Sequence, residues 1–276
     1  MRIDTGLPYI ASLSNSFGAD SFGGDFKPAP NGTSNTADTE GDYENMLFEG
    51  GGIMCEYLHE FVIAQNEFTE NVGGTHGGAI AVHSCLESNK IENNLFVHNH
   101  CTGDVGQSLG GGAIVSRDSK LDIVNNTFVQ NWVGTGTWPD NITLAYCGGA
   151  VHAWLCYLYY EESAPQFRLI NNIFYDNRAA EDGEGVVRGR SVASTHKAVA
   201  NISYCDAYPG NQGDNYYPDP YDDTNNYNWG DVIRYLAPGF YDLDAGKYWL
   251  SSSSSLRESP NHGQNHSANA AVPKRI

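Results

Sequence analysis

Two short phrases alternate along this chain, and their recurrence limits its fold more than any other feature. The first pairs two glycines with small or apolar residues: Gly51-Gly-Ile-Met54, Gly77-Gly-Ala-Ile80, Gly111-Gly-Ala-Ile114 and Gly148-Gly-Ala-Val151. The second follows each of these in turn: Gln65-Asn-Glu-Phe-Thr-Glu-Asn71, Asn93-Asn-Leu-Phe-Val-His-Asn99, Asn125-Asn-Thr-Phe-Val-Gln-Asn131 and Asn171-Asn-Ile-Phe-Tyr-Asp-Asn177. Gly185-Val-Val187 followed by Asn201-Ile-Ser-Tyr204 reads as a fifth, degraded copy. The steps from Phe68 to Phe96, Phe128 and Phe174 are 28, 32 and 46 residues, so insertions fall between phrases that persist. A fixed order of phrases with elastic spacing is the mark of a repeat architecture, in which no unit buries its apolar face alone.

Within a unit the pattern is that of strands. Leu121 and Ile123 alternate with Asp122, and an Asn-Asn pair then breaks the phase before Phe128. Aligned on that pair, Ile63, Ile91, Ile123 and Leu169 form one column, Phe68, Phe96, Phe128 and Phe174 a second, and Asn71, Asn99, Asn131 and Asn177 a third. Stacked coils of short strands account for all three columns, with amides bonding along the axis and Asn suited to left-handed corners. Leucine-rich, WD40 and helical repeats need signatures that are absent here. The expected fold is an all-β, right-handed parallel β-helix of about five or more coils with irregular caps at both ends. Its expected parts are an irregular N-terminal cap over 1–47, the repeats over 48–205, and a C-terminal loop and capping segment over 206–276.

Composition narrows the function classes. The chain has 276 residues, a formal charge of −18, 33 acidic residues and 15 basic ones. That balance argues against nucleic acid, since phosphate affinity rests on Lys and Arg. Aromatic residues at 12% argue against disorder. No apolar run approaches the ~20 residues needed to span a bilayer. The opening MRIDTGLPYIASLSNSFG has no apolar stretch of the signal-peptide kind, so a leader is expected to have been removed or to lie outside this chain. Six cysteines permit disulfides, with Cys101 and Cys147 the better-placed pair.

The Gly-Gly-Ala-Ile and Asn-Asn-x-Phe-x-x-Asn phrases resemble those of secreted right-handed parallel β-helix proteins, the pectate-lyase-like superfold. The tail, with Asn201-Ile-Ser-Tyr-Cys-Asp206, Tyr208-Pro-Gly210, Ala237-Pro-Gly-Phe-Tyr-Asp-Leu-Asp-Ala-Gly-Lys-Tyr-Trp-Leu250 and Ser259-Pro-Asn-His-Gly263, is similar to the closing segment of bacterial cell-surface β-helix proteins, often set ahead of an anchor. The resemblance implies a fold and an extracellular or surface location. It leaves chemistry open, because this superfold hosts lyases, hydrolases, epimerases and adhesins.

Candidate sites come from strand parity. Five residues beyond the second glycine stand Tyr57, His83, Arg117, Trp154 and, in the degraded copy, Arg190; three residues beyond it stand Cys55, Ala81, Val115, His152 and Arg188. Both columns are expected to face outward, opposite Met54, Ile80, Ile114, Val151 and Val187. Tyr57, His83, Arg117, His152, Trp154, Arg188 and Arg190 would then form a glycan-binding strip, rings stacking on sugars and guanidiniums forking to carboxylates. For a lyase, Arg117 and Arg190 with His83 or Lys197 as base are the candidates. The pectate lyase, polygalacturonase and alginate epimerase motifs are absent. Asp214, Asp219, Asp222 and Asp223 crowd one loop and make calcium the only metal in view, with no EF-hand or RTX spacing.

The leading expectation is therefore a secreted or surface-displayed structural or adhesive protein, a fibre or assembly subunit that contacts glycans or copies of itself. A lyase or hydrolase of an acidic polysaccharide is the alternative, and a viral fibre a third reading.

Overall fold

The repeat folds as one rung of a parallel β-helix, and stacked rungs form continuous sheets. The computed structural model describes residues 9–12, 16–17, 51–58, 60–74, 77–101, 110–137, 141–144, 148–154, 166–179, 189–195, 198–210, 215–218, 227–229 and 234–256. The first face contains Ile53–Glu56, Ile80–His83, Ile114–Arg117, Val151–Trp154, Val192–Thr195 and Tyr216–Pro218. The second runs from Tyr9–Ser12 through Phe61–Ala64, Asn89–Glu92, Leu121–Val124, Gln166–Ile170 and Val199–Ser203 to Tyr227–Trp229. The third holds Ser16–Phe17, Glu67–Thr69, Leu95–Val97, Thr127–Val129, Ile173–Tyr175 and Asp206–Tyr208. A short fourth face adds Val72–Gly73, His100–Cys101 and Trp132–Thr137, the last paired antiparallel with Asn141–Leu144. Every pairing between rungs is parallel.

The apolar columns fall into register as the sequence predicts. Ile63, Ile91, Ile123, Leu169 and Ile202 are direct partners across the second face. Phe68, Phe96, Phe128 and Phe174 stack with centroids 4.8, 4.8 and 4.9 Å apart and nearly parallel rings. That spacing is the strand separation itself, so identical residues pack without adjustment.

Two asparagine ladders line the inside, not one. Asn71 Nδ2 donates to Asn99 Oδ1 at 2.7 Å, Asn99 Nδ2 to Asn131 Oδ1 at 2.9 Å, and Asn131 Nδ2 to Asn177 Oδ1 at 3.0 Å. Asn66, Asn94, Asn126 and Asn172 repeat the arrangement one corner earlier. Beyond the first rung each Oδ1 also receives the backbone N–H of the asparagine one rung back, and each Nδ2 also reaches a carbonyl there, as from Asn99 to Phe68. These amides can be buried because nearly all of their bonding capacity is used. The left-handed corners belong to the residue before each ladder position: Gln65, Asn93, Asn125 and Asn171 on one corner, Glu70, His98, Gln130 and Asp176 on the next.

The glycine pair has a double reason. Gly77, Gly111 and Gly148 have φ of 57, 89 and 63°, where a side chain is strained. The glycine that follows faces the fourth face across a closed corner. A β-carbon on Gly78, Gly112 or Gly149 would come within 2.6 Å of the backbone nitrogen of His100, Trp132 or Arg178.

That geometry corrects the alignment at both ends of the repeat. In the first rung Ile53, not Met54, pairs with Ile80, and Gly51, not Gly52, sits in the closed corner. In the fifth, Val192 pairs with Val151, Gly189 has φ of 66°, and Arg190 stands where the second glycine was. No fourth-face strand follows that rung among the described residues. Val187 and Arg188, expected on this rung, lie outside the described residues.

The coil also runs past the expected boundaries of 48 and 205. Tyr9–Ser12 and Ser16–Phe17 add strands before it. Tyr216–Pro218, Tyr227–Trp229 and an Arg234 bridge to Asp206 form a further rung within the segment expected to be loop. The tail then folds as an antiparallel hairpin, Phe240–Asp242 with Lys247–Leu250, against the outside of the third face. Its apolar side meets Leu95, Val97, Val129 and Ile173 through Phe240, Leu243, Tyr248, Leu250 and Leu256. Cys55, Cys85, Cys101 and Cys205 are all buried, and burial pushes the Cys205 thiol up to about 12. Cys147 lies outside the described residues.

Candidate functional site

The outward side of the first face carries the residues singled out by parity, and its strands decide which of them meet. His83, Arg117 and Trp154 are direct partners in three successive rungs, each at the end of its strand and partly exposed. Their partners at the two ends are Glu56 and Thr195.

Tyr57 is therefore not in this register. It occupies the left-handed corner one residue later, with φ of 53°, equivalent to Ser84 and Asp118. The corner nonetheless turns its ring back toward the row, 5.5 Å from that of His83, and leaves it 62% exposed. On the other side the Arg117 guanidinium lies 4.8 Å over the Trp154 ring. Tyr57, His83, Arg117 and Trp154 thus form one line down the corner between the first and second faces.

Arg117 is a held cation more than an offered one. Its side chain is 15% exposed and its Nε lies 3.4 Å from Asp118 Oδ2. A guanidinium flanked by a carboxylate and an indole face has its charge largely matched within the protein.

The other expected column is covered. Ala81, Val115, His152 and Ala193 point away from the core yet are buried. The chain entering each rung crosses over them: the Gly110 N–H donates to His152 Nδ1 at 3.1 Å, and a β-carbon on Gly148 would touch His152 Cβ at 3.2 Å. His152 is therefore sealed under the approach to its neighbouring rung and is not part of a surface strip. Cys55, also expected outward, faces the core because of the first-rung shift. Arg190 sits at the corner position described above, away from the His83–Trp154 line. Arg188 and Lys197 lie outside the described residues, as do Asp214, Asp219, Asp222 and Asp223. Among the described residues no group of three or more His, Cys, Asp or Glu side chains is placed to hold a metal, and no helix is long and apolar enough to cross a membrane.

Two outward features were not anticipated. At the corner between the third and fourth faces, His98 Nε2 and Gln130 Oε1 are 2.7 Å apart, Gln130 Nε2 donates to Asp176 Oδ2 at 3.3 Å, and Arg178 pairs with Asp176. The signal for this row was the variable sixth residue of the Asn-Asn-x-Phe-x-x-Asn phrase, which reads Glu70, His98, Gln130, Asp176. On the hairpin's outer side, Tyr241 stacks on Trp249 at 5.6 Å with Lys247 5.5 Å from the Tyr241 ring. Alternation in Phe240–Asp242 and Lys247–Leu250 carries that signal, but only once the hairpin is known.

Fold and site together define a parallel β-helix protein with a polar and aromatic line along one corner. No protein-family model, curated protein or solved structure matches the chain.

Proposed function

We propose that this chain is an extracellular or surface-displayed β-helix scaffold with an adhesive role, which contacts glycans along the Tyr57–His83–Arg117–Trp154 line. The observation that carries the reading is the succession of rings and cation on adjacent rungs, one every ~4.8 Å, held by a frame whose interior is fully committed to packing. Aromatic rings offer flat apolar faces for sugar rings, with polar tips at their edges. The similarity of the repeat phrases and tail to secreted and surface β-helix proteins supports the location.

The charge pattern favours a neutral or weakly charged glycan. The protein has a formal charge of −18, which repels polyanions at long range. Arg117, the cation in the line, already faces Asp118. The lyase alternative asks that same guanidinium to meet a substrate carboxylate, and so has less to support it.

The test is a binding panel of neutral and uronate polysaccharides, with ultraviolet absorbance followed in the same wells. Binding of a neutral glycan, weakened at least tenfold by Trp154→Ala or Tyr57→Ala, is the expected result. Absence of binding throughout the panel, or binding indifferent to both substitutions, overturns the reading. Unsaturated product from a uronate would replace it with the lyase.

A further inference from the structure

Asp206 begins the last described strand of the third face and is 1% exposed. Its Oδ1 accepts the Leu236 N–H at 2.9 Å, while its Oδ2 is buried without a hydrogen-bond partner. The Tyr235 hydroxyl, on the same joining segment, is likewise buried and unpartnered. A buried carboxylate oxygen with nothing to donate to it is costly when charged, and far less so when the group carries a proton.

This carboxyl stands where the coil hands over to the tail. Arg234 bridges to Asp206, its N–H donating to Cys205 O and its carbonyl accepting from Ala207 N, both at 2.9 Å. Leu236 follows, and then the hairpin that covers Leu95, Val97, Val129 and Ile173. The groups facing Asp206 are Cys205 from its own rung and Arg234, Tyr235 and the Leu236 N–H from the tail. Those facing the hairpin are Glu67 and Glu70 at Tyr248, and Asp176 and Asp244 at Tyr175.

We propose that residues 234–256 are a proton-set latch: protonated Asp206 holds the hairpin against the third face, and ionised Asp206 loosens it and uncovers the apolar strip beneath. Burial raises the Asp206 carboxyl to about 7, opposed by the Leu236 N–H and by Arg234. The sign follows from linkage. A detached tail lets Asp206 ionise near the ordinary 3.8, whereas the docked tail does not. Opening is therefore least favourable in acid, rises as pH climbs from the ordinary carboxyl range, and levels off above about 7.

Hydrogen exchange of residues 240–250 in the intact chain, corrected for intrinsic rates, reads the opening directly. Between pH 5 and pH 8 the opening constant is expected to rise at least tenfold in the wild type, and to change less than twofold in Asp206→Asn, which keeps the Leu236 acceptor but cannot ionise. A flat wild-type profile overturns the proposal, and so does an unchanged slope in Asp206→Asn. Should the variant not fold, carboxyl carbon NMR of the wild type decides: an Asp206 midpoint near 7 supports the latch, and one in the ordinary range overturns it.

Discussion

The inside and outside of this coil obey different rules, although the same strands carry both. Inward positions repeat: Phe68, Phe96, Phe128 and Phe174 form one stack, and the two asparagine ladders run beside it. Outward positions at the end of the first face change from rung to rung, from His83 to Arg117 and Trp154. A closed interior offers each new rung the surface of the last, so the best neighbour for a ring or an amide is a copy of itself. The outside has no such template and is left to chemistry. Sameness marks structure here, and variation marks the place to look for function.

Substitutions should separate the two regimes by size. Phe128→Ala removes the ring between Phe96 and Phe174 and should cost roughly 3–5 kcal/mol, with a large drop in denaturant midpoint. Asn99→Ala strands the Asn71 amides and the Phe68 carbonyl and should cost about 3 kcal/mol; Asn99→Asp should not rescue it, because a carboxylate cannot donate onward to Asn131 Oδ1. Losses near 1 kcal/mol at either site would mean that the ladders relax and that interior repetition is not a stability device.

Trp154→Ala should cost about 1 kcal/mol or less in stability, the scale of a cation–π contact, while acting strongly on binding. The reverse result would place the line among the structural columns. Arg168→Ala breaks a pair with Asp122 on the exposed second face and should cost less than about 1 kcal/mol, less still in high salt.

pH sharpens the comparison further. His100 is held down to about 4 by burial, stacked on Trp132 at 4.2 Å. A depressed base contributes fully above its ordinary 6.5, and that contribution is lost as pH falls toward 4. Asp206 works in the opposite sense over much the same window, so global unfolding should show a flatter profile than either group alone. His100→Gln should then lower whole-chain stability progressively as pH rises from 4 to 7.

How much of this could be read from sequence follows the same division. The core columns, the parallel coil and the Asn71–Asn177 ladder were legible because stacking forces recurrence. The first-rung slip arose because three glycines, Gly50 to Gly52, offer two alignments, and only the closed corner beside Val72 selects between them. The fifth rung was misplaced because Arg190 stands where the earlier copies have their second glycine. His152 was expected outside because parity counts faces; it does not see the non-periodic approach at Gly110 that crosses over the strand. The hairpin over the third face left no trace in the repeat at all.

The unequal steps of 28, 32 and 46 residues between stacked phenylalanines have a practical meaning. Vertical pitch is set by strand pairing and by the two amide ladders, neither of which counts the residues spent between faces. Extra chain placed between the fourth face and the next glycine pair, or after the first face, leaves the stack in register, and longer closure costs only slowly more. Those corners are ready-made ports, through which this scaffold can gain or lose whole surface features while its axis stays the same.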